Sequence, residues 1–271
     1  MKAKKILFIT TEVAPFVPEN HGAEKGRLLP QAIQEAGHEI RAFSPKWGII
    51  NERRNQLHEV IRLSGMNLII DDTDHPLIIK VASLPSAKMQ VFFIDNDDYF
   101  SKRAILTDKE GKEYADNGER AIFYARGVLE TVKKQGWVPD VIHCYGWMSA
   151  LAPLYIKTAY RDEPSFRNTK VVMEVSPKEF VQDLGEVNAK LVEYKDTHYD
   201  DIKDICGEAY GHTELEKLGV KYADGVIVEN QDVDPTIVEY ARTLGLPILE
   251  TGEGTTYKES YHEFYESLFQ D

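Results

Sequence analysis

Cysteine is scarce in this chain: Cys144 and Cys206 are the only two among 271 residues, and they lie far apart. A disulfide framework or a cysteine metal site needs more cysteines at short, regular spacings. Cys144 lies inside an apolar run, so we expect it to be buried. The chain therefore lacks the cysteine pattern of small disulfide-linked domains and of cysteine-bound metals.

Basic residues are also in the minority, with 32 Lys and Arg against 45 Asp and Glu and a formal net charge of -13. Nucleic acids and anionic membrane surfaces bind basic faces, so this balance argues against both as partners. The sequence has no apolar run of membrane-spanning length, and the first run, residues 6–9, is too short for a signal peptide. We therefore expect a cytoplasmic protein, and the 42% hydrophobic content is typical of soluble globular chains.

The clearest pattern covers residues 116–160, where a helix, a strand and a second helix follow one another. Apolar residues recur at helical spacing between 119 and 134, and Gly136 follows where a left-handed residue often ends a helix. Residues 141–144 form a short apolar run that predicts a buried strand, and residues 148–160 again show helical spacing. A strand between two helices is the repeating unit of a parallel α/β sheet.

The remaining patterns extend the same fold on both sides of this unit. Strands are predicted at residues 4–10, 39–43, 170–175, 222–228 and 245–249, and helices at 23–36, 235–243 and 257–269. Three strand-like runs at 57–70, 77–82 and 89–94 predict an antiparallel excursion beside the main sheet. Residues 176–211 show no clear pattern. The sequence thus predicts an α/β fold: a single Rossmann-like domain over residues 1–271 with a parallel central sheet.

Ligands of an open parallel sheet bind at the loops that follow the carboxyl ends of its strands. Here those loops are residues 11–22, residues 144–147, and the stretches that begin at 176 and 230. Six residues are candidates for lining a cleft there: Glu12, Gly22, His143, Tyr145, Trp147 and Ser176. A buried core position is the alternative for His143, and packing is the alternative for Trp147. The acidic run 95–98 lacks the Gly and Glu of a calcium loop, so a solvated turn is favoured and no metal site is predicted.

Residues 116–160 also carry the motifs of a known family. The family pattern is D-N-x-x-R-F, an apolar helix, and then P-D-(V/I)-(V/I)-H-x-H-D-W-H-x-x-L-x-P-x-Y. This chain matches the pattern at Asp116, Asn117, Arg120, residues 139–143, Trp147, Leu151, Pro153 and Tyr155. It therefore resembles the N-terminal domain of the bacterial glycogen synthases and plant starch synthases. That resemblance implies the fold of the N-terminal half of a GT-B glycosyltransferase.

Three site loops of that family are altered in this chain. The family's K-T-G-G-L motif falls on residues 18–22, which read P-E-N-H-G. Its H-D-W-H becomes Y-G-W-M at 145–148, and its H-N becomes S-P at 176–177. A shifted alignment recovers Gly22 and Lys25 only if the order of the motif is broken. By this comparison the groups that contact the diphosphate and the reacting sugar are replaced, and we predict no catalytic residue.

The resemblance implies a glucosyltransferase that uses ADP-glucose or UDP-glucose and extends an α-1,4-glucan. In that family a second domain binds most of the nucleotide sugar, and the residues after 246 are too few to form it. We therefore expect a catalytic-region homologue without a cofactor and without transferase activity on its own. Its candidate partners are an α-1,4-glucan or a second protein chain. The alternative is a non-catalytic glucan-binding or protein-interaction regulator.

Aromatic residues recur on one face of the last predicted helix. They are Tyr257, Tyr261, Phe264, Tyr265 and Phe269. An aromatic stripe at helical spacing most often packs into a core. In the GT-B enzymes that this chain resembles, a C-terminal helix crosses back onto the N-terminal domain. We therefore expect this helix to cover the sheet.

Overall fold

The centre of the fold is a mainly parallel sheet, seen in a computed structural model that describes residues 3–84, 87, 89–252 and 254–270. The strands are β1 Lys5–Thr10, β2 Glu39–Pro45, β3 His58–Glu59, β4 Met66–Ile70, β5 Thr73–Leu84, β6 Met89–Asp95, β7 Val141–Tyr145, β8 Lys170–Val175, β9 Gly225–Val228 and β10 Ile248–Glu250. Those of the parallel part are continuous apolar runs because helices cover both faces of the sheet.

Strand β1 lies inside the parallel part of the sheet, between β7 and β2. The order is β10-β9-β8-β7-β1-β2-β6, and every neighbouring pair in this series is parallel. Along the chain, the strands up to β6 lie on one side of β1, and the strands from β7 to β10 lie on its other side. This reversal between β1 and β7 is the topological switch point of a doubly wound fold. The predicted α/β fold with a parallel central sheet is confirmed.

The antiparallel excursion is smaller than the sequence predicts. Strands β4 and β5 form a hairpin whose two-residue turn has positive φ at Asp71 (48°) and Asp72 (56°), and β3 pairs with Lys80 and Val81 of β5, across from β6. The prediction that residues 89–94 belong only to this excursion is wrong, because β6 is antiparallel to β5 but parallel to β2. The chain reverses its direction before β5 and again after it, so β6 runs in the same direction as the strands of the main sheet. The predicted break at residues 85–86 lies outside the described residues.

Helices cover both faces of the sheet. They are α1 His21–Glu35, α2 Asn117–Gln135, α3 Ala152–Lys157, α4 Gly185–Lys190, α5 Lys203–Cys206, α6 His212–Lys221, α7 Pro235–Thr243 and α8 His262–Ser267. A π-helical turn, Tyr257–Tyr261, leads directly into α8. Gly136 ends α2 with φ +62°, as predicted, and the Asp234 side chain caps α7.

Two helical predictions need correction. The helix predicted at 148–160 is a 3₁₀ turn, Trp147–Ser149, followed by the short α3, because Pro153 fits only in the first turn of a new helix. Residues 176–211, which show no clear sequence pattern, contain α4, a 3₁₀ turn and α5. Helix α6 was not predicted at all. Within the part of the chain that the structure describes, no helix has the length and apolar character needed to cross a membrane.

Candidate functional site

A pocket of about 320 Å³ opens at the carboxyl ends of β1, β7, β8 and β9, at the switch point of the sheet. This is where the strand order of an open α/β sheet leaves room for a ligand. Its lining residues come from the loops after these strands and from the start of α1: Thr11, Glu12, Asn20, His21, Gly22, Tyr145, Gly146, Ser176, Pro177, Lys178, Glu179, Glu229 and Asn230.

Four of the six cleft residues proposed from the sequence lie together in this pocket: Glu12, Gly22, Tyr145 and Ser176. The structure places the other two, His143 and Trp147, in the interior, where each is at most 1% exposed. The Trp147 ring packs edge-on against Phe180, with centroids 5.3 Å apart. His143 is therefore a core residue and Trp147 a packing residue, as the alternative interpretations of the sequence had it.

The interior position of His143 is set by two polar partners. Its Nδ1 lies 2.8 Å from the hydroxyl of Tyr265, and its Nε2 lies 2.9 Å from Oε2 of Glu174. Both partners are buried, so the imidazole is held in one orientation without contact with solvent. Trp147 reaches the pocket wall only through its backbone, whose N–H donates to Oε1 of Glu179 at 3.2 Å.

The elbow after β7 requires a glycine. Gly146 has φ +80°, and a Cβ at that position would lie 2.4 Å from Oγ1 of Thr11. A side chain would therefore be strained by its backbone and would collide with the loop after β1. Because Gly146 brings the two loops into contact, Tyr145 and Glu12 line the same pocket.

A buried lysine lies between the pocket and the sheet. The ammonium of Lys25, which is 3% exposed, contacts Oε1 of Glu174 and lies 3.3 Å from Oε1 of Glu229. Burial favours the neutral amine, but Coulomb attraction to Glu174 and Glu229 outweighs it and raises the pKa of Lys25. Burial likewise opposes ionisation of Glu174, but attraction to Lys25, followed by His143, lowers the pKa of that carboxyl to about 2. Lys25 and Glu174 therefore form a buried ion pair, and Glu229 lies beside it.

Carboxylates dominate the charged groups of the pocket wall. Glu229 accepts a hydrogen bond from the Tyr145 hydroxyl at 2.6 Å, and its Oε1 lies 2.7 Å from Nε2 of His21. Burial raises the pKa of Glu12, and repulsion from Glu179 adds to the rise. Lys178 is exposed at the rim. The wall thus carries three carboxylates and one lysine.

The residues that occupy the altered K-T-G-G-L positions serve to start a helix. Pro18 and Glu19 are exposed and lie outside the pocket lining. Asn20 is the N-cap of α1: its side-chain oxygen accepts from the Ala23 N–H at 2.8 Å, and its amide donates to Glu12 at 3.1 Å. Gly22 is the second residue of α1 and lines the pocket. Lys25, which only a shifted alignment recovers, is directed into the glutamate pair.

Sequence reasoning missed several polar residues of this region: Lys25, Glu174, Glu179, His212, Glu216 and Glu229. Glu174 gave the strongest signal, because a glutamate inside the apolar run of β8 must find a partner. His212 and Glu216 lie four residues apart, which is the spacing of neighbours on one helix face. Helix α6 itself is indicated by Leu215 and Leu218, which point into the core.

The sequence matches a known family over most of its length. The family model described as the starch synthase catalytic domain matches residues 5–242. A glycogen synthase from Chlorobium luteolum is 41% identical over 172 residues, which are 63% of this chain and 35% of that protein. A glycogen synthase from Chlorobaculum tepidum is 36% identical over 222 residues, which are 81% of this chain and 44% of that protein.

The fold is also found in a solved structure. The catalytic domain of starch synthase IV from Arabidopsis thaliana, bound to ADP and acarbose, matches 93% of this chain and 52% of its own with a TM-score of 0.73 at 14% identity. The chain spans less than half the length of the two curated relatives named above. These matches confirm the resemblance that residues 116–160 indicate. The chain belongs to the family of starch synthase catalytic domains, which includes the bacterial glycogen synthases.

Proposed function

We propose that this glycogen/starch synthase homologue acts in glucan metabolism by holding an α-1,4-glucan in the switch-point pocket, and that it does not transfer glucose on its own. The observation that carries the proposal is the charge of the pocket wall. Three carboxylates, those of Glu12, Glu179 and Glu229, face the space where a ligand enters. A carboxylate accepts hydrogen bonds from sugar hydroxyls, so such a wall suits a neutral oligosaccharide.

The same wall disfavours a nucleotide diphosphate. Transfer from a nucleotide sugar requires fixed positive charge that stabilises the departing diphosphate. Lys25 is buried and already neutralised by Glu174 and Glu229, and Lys178 is an exposed side chain at the rim. Among the described residues that line the pocket, this leaves one exposed lysine against three carboxylates. The expected ligand is therefore the acceptor glucan and not the donor.

The test is calorimetric titration of the purified chain, in the presence of a chelator, with maltoheptaose and separately with ADP-glucose. We expect maltoheptaose to bind and ADP-glucose to give no heat of binding. Glu12→Gln removes a charged acceptor at the pocket and is expected to weaken maltoheptaose binding about tenfold, by roughly 1.5 kcal/mol. Glu59→Gln, at an exposed position of β3, is the matched control and is expected to bind as the unchanged chain does.

Each other outcome would contradict part of the proposal. Micromolar binding of ADP-glucose would overturn the argument from the pocket charge and would call for a glucosyl-transfer assay. No response to either sugar would favour the alternative of a protein-interaction role, with a second protein chain as the partner. ADP and acarbose, the ligands of the Arabidopsis structure, provide a second donor-side and a second sugar-side probe.

A further inference from the structure

A compact group of potential metal ligands lies at the wall of the pocket, next to Ser176. It consists of Glu179, on the loop after β8, and of His212 and Glu216, one turn apart on α6. One oxygen of each carboxylate and Nε2 of the histidine all lie within 4.8 Å of one another. We propose that Glu179, His212 and Glu216 bind a divalent transition metal ion, with Zn²⁺ as the ion that the ligand set fits.

The distances between the potential ligand atoms are slightly longer than those in an occupied zinc site. Nε2 of His212 lies 3.9 Å from Oε1 of Glu179 and 3.8 Å from Oε1 of Glu216. Zinc binds histidine nitrogen and carboxylate oxygen at about 2.0–2.2 Å, so ligand atoms of a tetrahedral site lie roughly 3.3–3.6 Å apart. Each of the two nitrogen–oxygen distances needs to shorten by only a few tenths of an ångström to reach this spacing. Histidine nitrogen and carboxylate oxygen are both zinc ligands in proteins.

The histidine supplies an observation that is independent of the acidic cluster. Its side chain is 1% exposed, and its buried Nε2 has no hydrogen-bond partner in the described ranges of the chain. A buried ring nitrogen without a partner is costly, since it has lost water and gained nothing in exchange. Phe180 packs edge-on against the ring with centroids 5.5 Å apart, which fixes the direction of Nε2 into the cluster.

Ser176 contacts both carboxyl groups but carries no charge to pair with them, although its backbone N–H also donates to Oε1 of Glu216 at 3.0 Å. Its hydroxyl oxygen lies 3.0 Å from Oε1 of Glu179 and 3.0 Å from Oε1 of Glu216. A hydroxyl has one proton and can donate it to only one of them. No Lys or Arg nitrogen of the described residues lies within 4.0 Å of either carboxylate. A divalent ion would neutralise both, whereas without it one carboxylate must repel the other or take up a proton.

The site has a route of entry and room for a further ligand. Ser176 and Glu179 line the pocket, whereas His212 and Glu216 lie behind them. The Ser176 hydroxyl, or a water from the pocket, can therefore occupy the fourth position of a tetrahedral ion. The metal would thus sit between the hydrophobic core and the pocket, in contact with both.

The test uses the full chain without a purification tag, freed of metal with a chelator and then titrated with zinc chloride. We expect one zinc ion per chain by elemental analysis after dialysis. His212→Gln and Glu216→Gln are each expected to weaken zinc binding by at least about 10- to 100-fold, the range that even outer partners of a metal site cost. His58→Gln replaces an exposed histidine at the opposite edge of the sheet and is expected to leave zinc binding unchanged.

X-ray absorption at the zinc edge of the unchanged chain tests the ligands without relying on a variant that folds. We expect one imidazole nitrogen with oxygen ligands and no sulfur. A sulfur ligand would place the ion at Cys144 or Cys206 and overturn the assignment, as would equal zinc affinity of His212→Gln and the unchanged chain, or the absence of stoichiometric binding. These readouts need no sugar, so a failed glucan titration leaves them unaffected.

Discussion

Lys25 is the residue on which the polar interior depends. Glu174 is fully buried within β8, and its carboxylate has Lys25, His143 and Tyr261 as neighbours, with the Tyr261 hydroxyl donating at 2.7 Å. A buried carboxylate is tolerated only when its charge is paired and its oxygens are hydrogen-bonded. The lysine therefore stabilises the glutamate and not a ligand.

Replacement of Lys25 by methionine is expected to lower the free energy of unfolding by about 3–5 kcal/mol, because it leaves a buried charge without its main partner. The side chain keeps most of its volume, so loss of packing contributes little. The measurement is urea unfolding monitored by circular dichroism at pH 7.

The double variant Lys25→Met with Glu174→Gln is the control for this prediction. It removes both charges, so it is expected to be more stable than Lys25→Met alone, in line with the general behaviour of buried ion pairs. If the lysine variant loses less than about 1 kcal/mol, or if the double variant is the less stable of the two, the ion pair does not have the role assigned to it.

Helix α1 approaches the loop after β1 more closely than a side chain allows. A Cβ at Gly26 would lie 2.1 Å from the backbone oxygen of Glu12, whereas at Gly22, one turn earlier, the nearest atoms lie 3.5 Å away. The two glycines are in the same helix and differ mainly in the space around them. This contact brings the helix start, Glu12 and Lys25 together around the pocket.

Gly26→Ala is therefore expected to destabilise the fold by about 1–3 kcal/mol, because helix and loop must separate to admit a methyl group. Gly22→Ala fits the available space and is expected to be neutral or to stabilise the helix by up to about 1 kcal/mol. Thermal unfolding of both variants beside the unchanged chain is the measurement. Similar melting temperatures for the two variants would contradict the close approach at Gly26.

The last helical segment closes the other side of the same network. The hydroxyl of Tyr265 contacts His143, and that of Tyr261 donates to Glu174. The aromatic residues that were predicted to cover the sheet therefore also form hydrogen bonds to buried polar residues. Tyr261 and Tyr265 are each 1% exposed, but Phe269 is 39% exposed. The helical spacing of the aromatic residues predicts that they pack into the core. The two hydroxyl contacts could not be predicted in this way, because they depend on where β7 and β8 lie in the fold.

The elements of this molecule were more predictable than its site, for a physical reason. Strands such as β1 and β8 are mostly apolar and, apart from their first residues, fully buried, and this pattern is local in the sequence. The ion pairs join α1 to β8 and to the loop after β9, which are up to 204 residues apart in the sequence. The local periodicity of the sequence contains no information about contacts between residues so far apart.

For the pocket, too, one property was predictable from the sequence and another was not. Its place followed from the strand pattern alone, because the carboxyl ends of parallel strands meet at one edge. Its charge did not follow, since Glu179 and Glu229 come from loops without a periodic pattern. His143 and Tyr145 lie two residues apart on β7 and therefore share one face of the sheet. Tyr145 ends the strand at the pocket, whereas His143 lies in mid-strand, where Tyr261 and Tyr265 of the last helical segment pack against it, and no local pattern predicts that contact.

The whole molecule is expected to lose stability as the pH rises from about 4.5 to about 8, in part because of Glu216. Burial raises the pKa of this carboxyl to about 8 from the ordinary 4.5, and Glu179 adds to the rise while His212 opposes it. Between these values the folded chain binds more protons than the unfolded chain, so the free energy of unfolding falls with pH. The pKa of His212 is also raised above 6.5, which acts in the same direction.

Glu216→Gln isolates this contribution. In metal-free protein, the stability of the unchanged chain relative to the variant is expected to fall by at most about 1.4 kcal/mol per pH unit between pH 5 and pH 8. Below pH 4.5 the two curves are expected to fall together, because Glu174, with its pKa lowered to about 2, becomes protonated there in both proteins as the pH drops. Urea unfolding at half-unit steps of pH measures both effects. Parallel curves from pH 5 to pH 8 would show that Glu216 is ionised throughout. Added zinc is expected to reverse the slope, because an ion bound at Glu216 displaces its proton more readily as the pH rises.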